Sequence, residues 1–158
     1  MDPGTAIAPS ALDAFSAWAP IVWLKVNPYA YPILQIVHIV GIALVFGTLW
    51  VVDLTILGRL RTFDANLLTR HLIPWTLVGF GLAAVTGVTM FAAGVGDLIS
   101  NGAFVLKMCL LLVAGVNAGV LHARGAIDTH SRLTRWQSGM SIVLWIAIIA
   151  CGRWIGYL

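Results

Sequence analysis

Charged residues divide this chain into long apolar stretches. No formally charged residue stands between Lys25 and Asp53, Arg70 and Asp97, Lys107 and Arg124, or Arg135 and Arg153. Each gap approaches or exceeds the ~20 residues that a helix needs to cross the hydrocarbon of a bilayer. The pattern predicts four transmembrane helices, over residues 30–58, 73–95, 103–123 and 137–157. A membrane barrel would need segments of about ten alternating residues, and none are visible. The expected fold is all-α: an integral membrane four-helix bundle, up-down-up-down, spanning residues 30–158.

Residues 1–29 read as a separate interfacial segment. They carry no basic stretch ahead of an apolar core, so a secretory signal is not expected. Residues 10–24 (SALDAFSAWAPIVWL) mix small polar and apolar groups around Trp18 and Trp23. This predicts an N-terminal amphipathic helix lying in the membrane interface, anchored by its tryptophans. Asn27, Pro28 and Pro32 break it before the first span.

Composition reinforces the membrane reading. The 158 residues are 60% hydrophobic and 9% charged, where a soluble domain carries about 25% charged residues. A soluble fold and a disordered chain are both excluded. Arg59, Arg61 and Arg70 fall in the first loop and Arg124, Arg132 and Arg135 in the third. The positive-inside rule puts both loops in the cytoplasm of a bacterial inner membrane and both termini on the periplasmic side. The net charge of +3 reflects this bias, and no nucleic-acid partner is expected. Small residues form ridges: Gly79, Ala83 and Gly87 on the second span, Gly115 and Gly119 on the third, Gly152 and Gly156 on the fourth. These are expected to pack helix on helix, with a homo-oligomer contact at the last ridge as the alternative.

Polar groups at membrane depth are costly and therefore mark candidate sites. His38 shares a face of the first span with Gln35 and Gly41. A histidine beside a glycine suits a flat macrocycle, which needs a ligand and a neighbour without a side chain. The alternative is a structural histidine bonded to a facing carbonyl or hydroxyl. His122 ends the third span, and His71, just before Pro74, suits the first turn of the second. Both belong to the same side of an up-down bundle and could share a haem iron or a metal; otherwise they are wet interfacial residues. His130 reads as a solvated loop residue. His38 and His122 lie at opposite ends of parallel spans, at about 1.5 Å of rise per residue too far apart to share one iron. Near the level of His38 stand Met90, Lys107, Met108, Cys151 and Arg153. Lys107 and Arg153 could pair with a haem propionate, or simply snorkel to the interface.

Asp53 is the sole acidic residue inside a span, and an arginine such as Arg59 or Arg124 would make it structural. Asn117 reads as an interhelical hydrogen bond. Cys109 and Cys151 have no zinc-like or disulfide-like spacing. With Met90 and Met108 they leave copper conceivable, although sulfur side chains also simply fill cores. The chain has no Glu, and no Ser/His/Asp set or phosphate loop is evident.

The stretches YPILQIVHIVGIALVFGTLWVVDLTILGRL, HLIPWTLVGFGLAAVTGVTMF, NGAFVLKMCLLLVAGVNAGVLH and SIVLWIAIIACGRWIGYL resemble an uncharacterised bacterial inner-membrane family of four-helix proteins. More distantly the layout is similar to copper-resistance-D-type membrane domains and to haem-containing HemJ-type protoporphyrinogen oxidases. The shared pattern is a histidine early in the first span, Thr-Gly in the second and a lysine opening the third, here His38, Thr86–Gly87 and Lys107. The resemblance implies a b-type haem or metal site at His38, with Lys107 and His122 as further candidates.

The expected function is that of a membrane cytochrome carrying haem b. It would pass electrons between a quinone, or a partner dehydrogenase subunit, and an acceptor. His38 is the expected axial ligand, with His71 and His122 a second site or structural. A copper-handling membrane protein and a non-catalytic anchor subunit of a larger complex are the alternatives.

Overall fold

A computed structural model describes residues 18–60 and 62–157. The start of the expected amphipathic helix, residues 10–17, and Arg61 lie outside the described residues. All regular structure among the described residues is helical. Six α-helices follow in order: α1 (Ala19–Val26), α2 (Ala30–Ile56), α3 (Ala65–Ala93), α4 (Val95–Ser100), α5 (Gly102–Ala123) and α6 (Arg132–Trp154). A 3-10 turn, Ile155–Tyr157, continues α6. Four helices are long and apolar enough to cross a membrane: α2, α3, α5, and α6 with its turn.

Local chemistry explains where these helices stop and start. Gly58, at φ 76°, closes α2: its N–H bonds the Thr55 carbonyl at 3.0 Å while Arg59 N–H reaches Leu54 at 2.9 Å. That is a left-handed glycine cap, which satisfies the last carbonyls of the helix. The second span begins eight residues before the expected position 73, because the Asp64 carboxylate accepts from Leu67 N–H at 2.8 Å and caps α3. Pro74 therefore lies inside α3 rather than at its start. It forfeits one backbone bond without ending the helix. The fourth helix likewise starts at Arg132, not at 137. Gly94 terminates α3, and the short α4 was not foreseen. Asn101 caps α5 by accepting from the N–H groups of Ala103 and Phe104.

The long helices pair antiparallel. Along α2 and α3, His38 meets Thr86, Gly41 meets Gly79 and Ala83, and Thr48 meets Thr76. Along α5 and α6, Lys107 lies by Gly152 and Asn117 bonds Gln137. The two hairpins join mainly where α2 packs on α6. Phe91 of α3 also stacks on Phe104 of α5, with ring centroids 5.2 Å apart. At the arginine-loop end, Val52, Ile56, Ala65, Leu121 and Ile127 form an apolar cluster. Asn66 latches the two loops there, donating to the Ile127 carbonyl and accepting from its N–H at 2.7 Å.

The small-residue ridges divide into two kinds. A Cβ on Gly41 would stand 2.8 Å from Ala83 N and Gly79 O, so α2 and α3 touch backbone to backbone there. Such contact is how apolar helices associate in lipid, where van der Waals fit replaces the hydrophobic effect. Gly115, Gly119 and Gly156, by contrast, face open space. Their expected packing role inside the chain is therefore corrected. Leu112, Val116, Val85, Trp75 and Trp136 are also strongly exposed, the outward apolar face that a lipid solvent permits. At α1, Ile21 and Leu24 turn inward while Trp18 and Trp23 stay exposed, and the helix rests against α2 and α3.

Candidate functional site

The glycine contact between α2 and α3 places His38 against α3. The Thr86 hydroxyl donates to the Leu82 carbonyl at 2.6 Å, as threonines in helices do. Its single proton is then committed, so at the 2.9 Å contact with His38 Nδ1 it is the oxygen that accepts. Nδ1 consequently carries the ring proton, and Nε2 holds the lone pair. No described residue bonds that nitrogen. Gly87 makes room for the ring: a Cβ there would lie 3.1 Å from Cε1. His38, Thr86 and Gly87, which lie far apart in sequence, thus form one unit.

Lys107 completes the cluster from α5. It is the charged side chain that bears on His38, with Cys151 as its own electrostatic neighbour. Its chain runs over Gly152, where a Cβ would meet Nζ at 3.4 Å. Half-buried, the ammonium has no hydrogen-bond or anionic partner among the described residues. Arg153 does not join it. That side chain is exposed, donates to Tyr157 Oη at 2.6 Å and lies 4.9 Å over the same ring.

The remaining candidates are elsewhere. Gly41 is buried against α3, so the space left by its missing side chain is filled by helix backbone. His71 sits in the third turn region of α3 rather than its first turn, a shift that follows from the earlier start of the helix. It is exposed and its Nδ1 donates to the Leu67 carbonyl at 2.8 Å. His122 is also exposed, with Nδ1 donating to Ala118 at 2.8 Å. Each histidine is bonded to its own helix, and nothing brings the two together. Met90 lines a crevice of about 430 Å³ with Leu24, Lys25, Tyr31 and Asp97. Cys109 and Met108 are exposed, and both cysteines are free. Among the described residues no three of His, Cys, Asp or Glu gather to hold a metal ion.

The sequence reading missed a second polar centre, at the arginine-loop end. Asp53 is 4% exposed and faces the hydroxyls of Ser141 and Ser138 on α6. Arg124, expected as a partner of Asp53, instead donates to Gln137 Oε1 at 3.0 Å, and Arg59 is exposed. Asn117 donates to the Gln137 carbonyl at 3.1 Å, the expected interhelical bond. The missed signal was periodic: Thr134, Gln137, Ser138 and Ser141 recur at helical spacing and are all buried. Counting charges alone passes over such a stripe.

No curated protein and no solved structure matches this chain. A family model described as a family of unknown function (DUF6644) matches residues 22–158, and the chain belongs to that family.

Proposed function

We propose that this chain is a multi-pass protein of a bacterial inner membrane that binds haem b and carries electrons. The donor or acceptor would be a quinone or a partner redox subunit. The observation that carries the reading is the His38 unit: Nδ1 is tethered to Thr86 and Nε2 has no partner. Hydrogen-bonding one ring nitrogen orients the other as a ligand. The same bond satisfies the structural reading of His38, and the partnerless Lys107 beside it favours a bound group. The donor set fits haem. A macrocycle brings its own nitrogens, so one histidine completes a five-coordinate iron, and a lysine suits a propionate. When bound, the haem would supply a one-electron iron centre. His38 would hold it, Thr86 would fix the ring, and Lys107 would neutralise its acidic edge.

The likeness to copper-resistance-D-type and HemJ-type proteins rests on His38, Thr86, Gly87 and Lys107. The four spans would form an up-down-up-down bundle, with the arginine loops cytoplasmic and both termini periplasmic. α1 would lie in the outer interface, with Trp18 and Trp23 among the headgroups.

An absorption spectrum of the detergent-purified protein tests this. A Soret band with reducible α-bands is expected, and His38→Ala should abolish it. Bound copper without haem would favour copper handling, and neither cofactor would favour an anchor subunit. A full haem spectrum in His38→Ala would remove the site.

A further inference from the structure

The Asp53 centre is unused by the proposed electron carrier, and its oxygens are arranged unusually. Ser138 is fully buried and faces the Asp53 carboxyl, yet its Oγ closes no hydrogen bond with any described residue. A buried hydroxyl left unbonded costs stability, and so does a buried carboxylate without a counter-charge. No cation discharges Asp53. Arg124 is engaged with Gln137 and Arg135 with the Leu57 carbonyl, while Arg59 and Arg70 are exposed.

We propose that Asp53, Ser138 and Ser141 form a binding site for a small alkali cation, Na⁺, at the seam between α2 and α6. Three oxygens of hard-ligand type face one another without bonding among themselves, which is the arrangement that a cation between them would require. The charge count selects the ion. One carboxylate is neutralised by one monovalent cation, whereas a divalent ion would leave a buried positive charge. Nitrogen and sulfur donors are absent from the trio, which disfavours transition metals. Because α2 and α6 join the two hairpins, the ion would act as a latch between them.

The test is thermal unfolding of the purified full chain in detergent, with Na⁺ replacing choline at constant ionic strength. A saturable rise in melting temperature is expected, since a ligand of the folded state stabilises it. Asp53→Asn should be insensitive to Na⁺. Ser138→Ala, which adds no bulk, should raise the half-saturating Na⁺ concentration on the order of tenfold, and it keeps the test open if Asp53→Asn unfolds. An absent Na⁺ response in the wild type overturns the proposal, as does an unchanged response in both variants. An infrared carboxylic-acid band that persists in saturating Na⁺ and is lost in Asp53→Asn also overturns it, because the site then holds a proton. The readout needs no haem, so it stands or falls apart from the His38 site.

Discussion

At the arginine-loop end, polar side chains are mostly committed to other parts of the chain. Asn66 latches the Ile127 backbone, Arg124 and Asn117 both bond Gln137, and Arg135 reaches the Leu57 carbonyl. At the opposite end, polar groups are fewer and less committed. His38 has one nitrogen tethered and one open, and Lys107 has no partner among the described residues. Polar groups bonded to each other hold helices together, whereas polar groups left open at membrane depth are retained at a cost that folding does not explain. The contrast separates architecture from chemistry better than burial does. Asp53 is much more buried than His38, yet the basic pair at the far end is the better ligand set for a redox cofactor.

The largest expected effect breaks that contrast if it fails. His38→Ala should remove the haem absorption completely, while Gln137→Ala at the loop end should keep it and lower the unfolding temperature. Loss of haem from both variants would mean that global packing, not a ligand, had been removed. Next in size is Thr86→Val, which keeps the shape but deletes the acceptor for His38 Nδ1. Losing such an orienting bond weakens a metal site by about 10–100-fold, which competition with apomyoglobin would read as faster haem loss. His71→Ala and His122→Ala should leave the rate of loss unchanged, because both rings are bonded to their own helices and exposed.

The four spans and the antiparallel pairing follow from charge spacing, because charges are too costly to place inside lipid-facing helices. His38 and Lys107 were legible for the same reason: they interrupt otherwise apolar runs. Thr86 and Gly87 entered through resemblance; their contact with His38 depends on the α2–α3 register, which a sequence does not display. The early start of α3 was hidden because Arg70 and His71 read as loop residues, although Asp64 was present as a cap. Gly41 was assigned to a cofactor when its partner was the Gly79–Ala83 backbone: a glycine's missing side chain looks the same in sequence whichever surface fills the space. The serine stripe of α6 was passed over because hydroxyls carry no charge.

Gly41→Ala sharpens the distinction between the two kinds of glycine. Its Cβ would meet backbone atoms at 2.8 Å, and backbone yields only if the helices part. Overpacking of this kind costs about 1–3 kcal/mol, measurable as a lower unfolding free energy in denaturant-titrated detergent micelles. Parting α2 from α3 should also stretch the 2.9 Å bond of His38 to Thr86 and hasten haem loss. Gly119→Ala points into open space and should change neither quantity.

The smallest effect belongs to the loop end. Asp64→Ala removes the acceptor for Leu67 N–H, and loss of such a cap costs about 1 kcal/mol. The cap is exposed and lies at the far end of α3 from Thr86, with much of that helix between them. If the two ends are independent, Asp64→Ala lowers stability by that amount and leaves both the absorption spectrum and the rate of haem loss as in the wild type. Combined with Thr86→Val, it should then give the sum of the separate effects, as distant sites do. A faster haem loss in Asp64→Ala alone would show that fraying of the first turn of α3 travels along the helix. The loop end would then belong to the machinery that holds His38 in place, and the division between architecture and chemistry would have to be redrawn.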